Sequence, residues 1–257
     1  MYDSNSNFKS IYGRIKQRVS EDLKGIRPES NSSDNKGLAI VLLSGGLDSC
    51  VTTAIANGEH TIALLHVEYS QRTQPREYKS FRAIANYYKV PEARILSTKL
   101  DYLRKIGGSS LTDPDIPVDK DNTNTQIPMS YVPFRNTHLL SIAVSWAEVI
   151  KAEKVYIGAV QQDSPDYPDC RAEYYDAFNR LVEVGTKPTT NIKVVTPLLK
   201  MNKSEIVRKG IELGAPLHLT WSCYERNEMA CGKCQSCTLR LKAFDDAGVE
   251  DKITYMK

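Results

Sequence analysis

The stretch that most constrains this chain is Ser44-Gly45-Gly46-Leu47-Asp48-Ser49. It follows an apolar run, Leu38-Ala39-Ile40-Val41-Leu42-Leu43, which reads as a buried strand. It precedes Cys50-Val51-Thr52-Thr53-Ala54-Ile55-Ala56-Asn57, which reads as a short helix stopped by Gly58. A Gly-Gly turn between strand and helix lets the backbone come very close to a ligand. The helix then directs unpaired N–H groups, and the positive end of its dipole, at whatever lies there. This is an anion site of the kind that binds phosphate. The two serine hydroxyls add donors, and Asp48 is suited to orienting a magnesium ion on the phosphates. An ordinary tight turn would account for the glycines but not for six suitable residue types in one setting. No Gly-Lys-Ser/Thr follows at Walker A spacing, and the G-x-G-x-x-G dinucleotide fingerprint is missing.

Composition narrows the class. With 257 residues, 41% hydrophobic and 25% charged, the chain reads as a soluble globular protein with a sizeable core. A net charge of +3 makes no strong case for a nucleic-acid surface. No apolar run reaches membrane-spanning length and no signal-peptide core opens the chain, so a cytoplasmic protein is expected. Six cysteines in a reducing compartment argue against a disulfide framework.

Residues 1–36 read as an appendage. Phe8, Ile11, Tyr12, Ile15, Val19 and Leu23 recur at helical steps, and a polar linker follows. The expected amphipathic helix packs on the domain or on a neighbouring subunit. From Leu38 onward strands alternate with helices. Strands are expected at 61–67, 93–97, 153–159 and 192–195, with helices at 75–88, 137–151, 172–184 and 203–213. This rhythm predicts a doubly wound, parallel, five-stranded α/β sheet with its ligand beyond the strand C-termini. Residues 107–136, rich in Gly, Pro, Asp and Asn, interrupt it and read as a functional lid. His66, at a strand end, reads as a hydrogen-bonded core residue, and Lys203 as a solvated lysine at a helix start unless it reaches phosphate.

Near the C-terminus, Cys223, Cys231, Cys234 and Cys237 are spaced C-x7-C-x2-C-x2-C. Four thiolates suit a closed structural zinc site that folds a core-poor tail around the metal. An iron–sulfur cluster is the main rival. Cys50 reads as a small buried helix residue and Cys170 as a loop residue facing the substrate. Three segments are therefore expected: residues 1–36, a nucleotide-binding domain over 37–215, and a metal-binding subdomain over 216–257.

The glycine loop resembles the PP-loop of the N-type ATP pyrophosphatases, which split ATP between the α- and β-phosphates. Four further stretches narrow the resemblance: Tyr131-Val132-Pro133-Phe134-Arg135-Asn136; Tyr167-Pro168-Asp169-Cys170-Arg171; Thr196-Pro197-Leu198 with Lys203-Ser204-Glu205-Ile206-Val207; and Thr220-Trp221-Ser222-Cys223-Tyr224 with the remaining cysteines. Taken together, the chain from residue 38 resembles the QueC family of 7-cyano-7-deazaguanine synthases. Two positions depart from the family pattern: Thr73 stands where histidine is usual, and Phe134 where glycine is usual, adding bulk in the lid.

The resemblance implies an adenine nucleotide alpha hydrolase-like fold. It also implies ATP-dependent conversion of 7-carboxy-7-deazaguanine and ammonia to the nitrile, with Mg2+ and one structural Zn2+. ATP is expected along Leu43, Ser44, Gly45, Gly46, Leu47, Asp48, Ser49, Cys50, Val51, Thr52 and Thr53. Asp48, Arg72 and Arg135 are the catalytic candidates, the two arginines as forked ligands of phosphate or carboxylate. Tyr131, Arg135, Tyr167, Asp169 and Arg171 are the substrate candidates. Tyr131, Phe134 and Tyr167 would stack on a flat base or else pack in the core, and Asp169 would accept from its N–H groups, unless Asp169 caps the helix at Ala172. The expected partners are a small-molecule carboxylate, ammonia and a second copy of the chain, with no membrane and no nucleic acid. Two other classes stay in view: a tRNA-modifying PP-loop enzyme, and a zinc module that binds nucleotide without turnover.

Overall fold

The computed structural model describes residues 36–113, 115–116, 127–161 and 167–256. The expected N-terminal amphipathic helix lies outside the described residues. Five strands form one parallel sheet in the order β3-β2-β1-β4-β5. They are β1 (Leu38–Leu42), β2 (Thr61–Glu68), β3 (Ile95–Lys99), β4 (Lys154–Ile157) and β5 (Lys193–Val195). The central strand β1 is flanked by β2 and β4, with Leu42 opposite Leu65 on one side and Ile157 on the other. Connections leave β1 toward β3 and later return to its other side, so the strand order reverses between β1 and β4. The crevice at such a reversal is where open α/β sheets bind ligands.

Alternate residues of the strands feed two cores. Ile40, Leu42, Ala63, Leu65 and Val67 pack with α4 (Arg135–Ile150) and α5 (Ala172–Gly185). Ala39, Val41, Leu43, Ile62 and Leu64 pack on the opposite face with α1 (Leu47–Glu59), α2 (Gln74–Tyr87), α6 (Lys203–Glu212) and α7 (Gln235–Ala247). Both faces are covered, which is why these strands read as continuous apolar runs rather than alternating ones. The expected sheet is borne out, with strand ends shifted by a few residues.

Two helices were not legible. The short α3 (Tyr102–Ile106) precedes Gly107, and α7 occupies much of the cysteine-bearing tail. The tail is therefore not core-poor: Ala243 and Phe244 of α7 are buried in the second core. At its root lies Arg240, 1% exposed, in a forked ion pair with Asp251 (Nε–Oδ2 2.6 Å, Nη2–Oδ1 3.0 Å). The same guanidinium donates to Thr220 Oγ1, Ser222 Oγ and the Leu217 carbonyl. One buried cation thus ties α7, the C-terminal segment and residues 217–222 together.

Candidate active site and metal centre

The turn between β1 and α1 is built as its residue types require. Gly45 has φ +95°, and a Cβ there would lie 2.5 Å from the Glu77 carbonyl oxygen in α2. Only glycine fits both the conformation and the approach. Helix α1 starts on Gly46 with no side-chain cap. Its first-turn N–H groups are thereby left for a ligand. Ser44 Oγ and Ser49 Oγ lie 3.0 Å apart, and Gly46 N–H donates to Ser44 Oγ. Gly158, just past β4, lies against this first turn: a Cβ there would come within 2.9 Å of the Asp48 carbonyl carbon and 3.0 Å of Ser49 N.

A cavity of about 390 Å3 opens over the ends of β1 and β4. Its wall includes Leu43, Ser44, Gly46, Leu47, Asp48 and Ser49. Gly45, Cys50, Val51, Thr52 and Thr53 stand behind that wall. Burial pushes the Cys50 thiol up to about 12, so it is a neutral packing group.

Asp48 is partly buried and paired. Lys203, the first residue of α6, donates to both its carboxylate oxygens, at 2.9 and 2.8 Å. The pair is half-buried. The expectation of a solvated lysine at this helix start is thus corrected.

Arg135 opens α4 and also lines the cavity. Burial opposes its charge, but Tyr69, Asp169 and Cys170 nearby hold it firmly protonated. It donates to the Tyr69 hydroxyl at 3.2 Å, while its Nε is buried without a partner. Tyr167 lines the same wall, with its hydroxyl 2.6 Å from Ser130 Oγ. Tyr131 stands behind it, ring centroids 5.5 Å apart and nearly perpendicular.

Asp169 is 3% exposed and does not cap the helix at Ala172. Its Oδ2 accepts the backbone N–H of Asn136 at 3.0 Å, so it caps α4 instead. Its Oδ1 is buried without a partner. Arg171 is exposed at the start of α5. Cys170 lines the cavity, its thiol pushed up to about 11 by burial and by Asp169, which keeps it protonated at neutral pH.

Arg72 points elsewhere. Its guanidinium donates to the carbonyls of Ser110, Asp113 and Ile116, and it is absent from the cavity wall. Thr73 is buried and donates to Glu77 Oε1. Phe134 has φ +58° and is 57% exposed, with its ring beside His138. It adds no bulk to the cavity, and its conformation is the left-handed one that glycine adopts without strain. His66 is fully buried, stacked on Phe81 and bonded through Nδ1 to the Leu43 carbonyl. Burial lowers its pKa, so it is a neutral core group.

Sequence reasoning did not single out Tyr69, Trp221 or Tyr224 as cavity residues, yet all three line it. The signal for Trp221 and Tyr224 was present: they sit in the stretch that leads into the cysteine motif. That stretch touches the glycine loop directly, with Trp221 N–H donating to the Gly45 carbonyl at 2.9 Å. The Arg76 guanidinium stacks 4.4 Å over the Trp221 ring.

The four cysteines converge. All four Sγ atoms lie within 4.8 Å of one another, and those of Cys231 and Cys237 are 3.9 Å apart. Backbone N–H groups of Glu225, Cys231, Lys233 and Cys234 point at the sulfurs of Cys223 and Cys231. Such donors stabilise thiolates. Ligand chemistry, burial and spacing fit one metal.

A family model described as "Queuosine biosynthesis protein QueC" matches residues 38–248. The chain belongs to the QueC family. It is 58% identical over 219 residues to a 7-cyano-7-deazaguanine synthase of Chlorobium chlorochromatii, covering 84% of this chain and 95% of the relative. It is 57% identical to that of Chlorobium phaeobacteroides and 52% to that of Chlorobaculum tepidum, each over 84% of this chain and 96% of the relative. The resemblance read from the motifs is borne out. Among the described residues, no helix is long and apolar enough to cross a membrane.

Proposed function

We propose that this chain uses ATP to convert 7-carboxy-7-deazaguanine and ammonia into 7-cyano-7-deazaguanine. The observation that carries the acceptor is family membership at 58% identity over nearly the full length of a synthase of that name. One cavity with a glycine loop at a helix start and with Arg135 and Tyr167 in its wall supports the chemistry.

The loop backbone and the first turn of α1 hold the ATP phosphates. A substrate carboxylate oxygen attacks the α-phosphorus, the bond to the β-phosphate oxygen breaks, and pyrophosphate leaves. Ammonia attacks the acyl carbon of the adenylate, AMP departs with that oxygen, and a proton is lost, giving the amide. The amide oxygen then attacks the α-phosphorus of a second ATP, releasing a second pyrophosphate, and departure of AMP with loss of the two N–H protons gives the nitrile. The chain's part is to position the reactants and meet developing charge. Arg135 suits the substrate carboxylate as a forked donor, and Tyr167 suits the flat ring as a stacking face. Asp169 retains one unbonded oxygen, Oδ1, for a substrate N–H. Tyr131 supports Tyr167, Arg171 stands outside the wall, and Arg72 serves as an anchor of the lid.

Asp48 fits a magnesium ion as a hard carboxylate ligand beside the phosphates; such an ion, when bound, neutralises triphosphate charge. At the cysteines we favour zinc over an iron–sulfur cluster. Four thiol groups whose sulfurs all lie within 4.8 Å of one another would hold a single tetrahedral ion, which would tie the tail together. Residues 216–257 form the metal-binding subdomain of this reading. Exposed apolar side chains on α4 and α5, Val149, Leu181 and Val184, support a homodimer.

Incubation with 7-carboxy-7-deazaguanine, ammonium and Mg2+–ATP, with the product read by mass, tests the reading. The nitrile is expected. Pyrophosphate without nitrile would point to a different acceptor, and ATP binding without turnover would contradict the enzyme.

A further inference from the structure

We propose that Glu77 is a catalytic residue of the amidation step, binding ammonium at its carboxylate and taking one proton from it beside the acyl adenylate. The proposal rests on the function given above. Ammonia is present mostly as ammonium at neutral pH, and ammonium has no lone pair with which to attack. A site that uses it needs a carboxylate able to hold a cation and accept a proton. Among the described residues, two carboxylates line the cavity, Asp48 and Glu77. Asp48 already holds Lys203. No lysine, arginine or histidine among the described residues forms an ion pair with Glu77.

Glu77 lies in the first turn of α2. Its backbone carbonyl packs against Gly45 so closely that a Cβ there would come within 2.5 Å. Two neutral donors fix its side chain: Gln71 Nε2 donates to Oε2 and Thr73 Oγ1 to Oε1, each at 2.9 Å. Gln71 in turn accepts the backbone N–H of Tyr69 at 2.9 Å, and the Tyr69 hydroxyl accepts from Arg135 at 3.2 Å. Burial raises the Tyr69 phenol above its ordinary value; the Arg135 charge opposes this and the Glu77 charge adds to it. Glu77 thus stands between the glycine loop and the Arg135 side of the cavity, where a carboxylate held by Arg135 would meet the α-phosphate. Each carboxylate oxygen has two lone pairs and spends one on its neutral donor, so both still accept from ammonium. In the step, one ammonium proton passes to a Glu77 oxygen. The freed nitrogen lone pair forms the C–N bond, the C–O bond to AMP breaks with its electron pair going to AMP, and a second proton leaves the nitrogen for water.

The test compares Glu77→Gln and Glu77→Asp with the unaltered protein in three assays. The first is exchange of labelled pyrophosphate into ATP with 7-carboxy-7-deazaguanine and no ammonium, which reads adenylation alone. The second is nitrile formation against ammonium concentration. The third replaces ammonium with hydroxylamine, which is largely uncharged at neutral pH and traps the adenylate as the hydroxamate. We expect E77Q to lower kcat/KM for ammonium by about 10²-fold or more, the usual size of a general-base contribution. Exchange should stay within about threefold and hydroxamate formation within about tenfold, because neither requires a cation to be held and deprotonated. E77D should recover at least about tenfold of the loss, since it restores the carboxylate. Two outcomes would overturn the proposal: E77Q with undiminished kcat/KM for ammonium, or E77Q that loses exchange and hydroxamate formation as much as nitrile formation, which would make Glu77 a structural support of the loop. A wild-type protein that makes no nitrile contradicts the acceptor, whereas an active wild type with an unimpaired E77Q contradicts only Glu77.

Discussion

Trp221 donates its backbone N–H to the carbonyl of Gly45 at 2.9 Å. Two residues further on, Cys223 begins the four-cysteine cluster. The cysteine cluster and the glycine loop are therefore joined by a few residues of chain. Cys234→Ser should lower metal content from about one equivalent, since a four-thiolate site needs all its ligands. It should also weaken ATP binding by releasing the 220–224 stretch from the loop. Metal analysis and ATP titration check both effects. Unchanged ATP affinity in metal-depleted protein would show that the loop stands without the tail.

Gly158 has no room for a side chain beside Asp48 and Ser49. Gly158→Ala should push the first turn of α1 off β4, costing about 1–3 kcal/mol as an overpacked site and raising KM for ATP. Urea unfolding together with ATP kinetics reads the two consequences. A stable variant with normal KM would mean that the turn is more yielding than its contacts imply.

Asp251 is 3% exposed at its side chain and bonds Arg240 through both oxygens. Asp251→Ala leaves that guanidinium buried without its counter-charge and should destabilise the chain by about 3–5 kcal/mol. The midpoint of chemical unfolding is the direct measurement.

Phe134 carries backbone strain without touching the cavity. Phe134→Gly should relieve about 1 kcal/mol of left-handed strain, part of it offset by the greater freedom of glycine in the unfolded chain. It should leave kcat unchanged. A large loss of kcat would show that the ring acts on the lid or the substrate.

What was legible in the sequence was local. Strand and helix periodicity, the Gly-Gly turn and the cysteine spacing each announce themselves within a dozen residues, and the sheet follows from them. What was not legible depends on meetings between distant segments. Gly158 reads as an ordinary strand-end glycine until α1 is laid against it. Asp169 looks like a cap for the next helix in sequence, but the chain brings α4 to it first. Lys203 and Asp48 lie 155 residues apart, and no local pattern marks them as a pair. Helix α7 is hidden in the sequence because the cysteine spacing dominates its start, although Arg240, Ala243 and Phe244 lie on its buried side.

The most direct measurement follows the substrate's oxygen atoms. With 7-carboxy-7-deazaguanine labelled with oxygen-18 in its carboxylate, activation at the α-phosphorus transfers one carboxylate oxygen to AMP at each of the two activation steps. We expect both labelled oxygens to be recovered in AMP, one per molecule, alongside unlabelled pyrophosphate and the nitrile. Label in inorganic phosphate, or nitrile formed with unlabelled AMP, would contradict adenylation in this cavity.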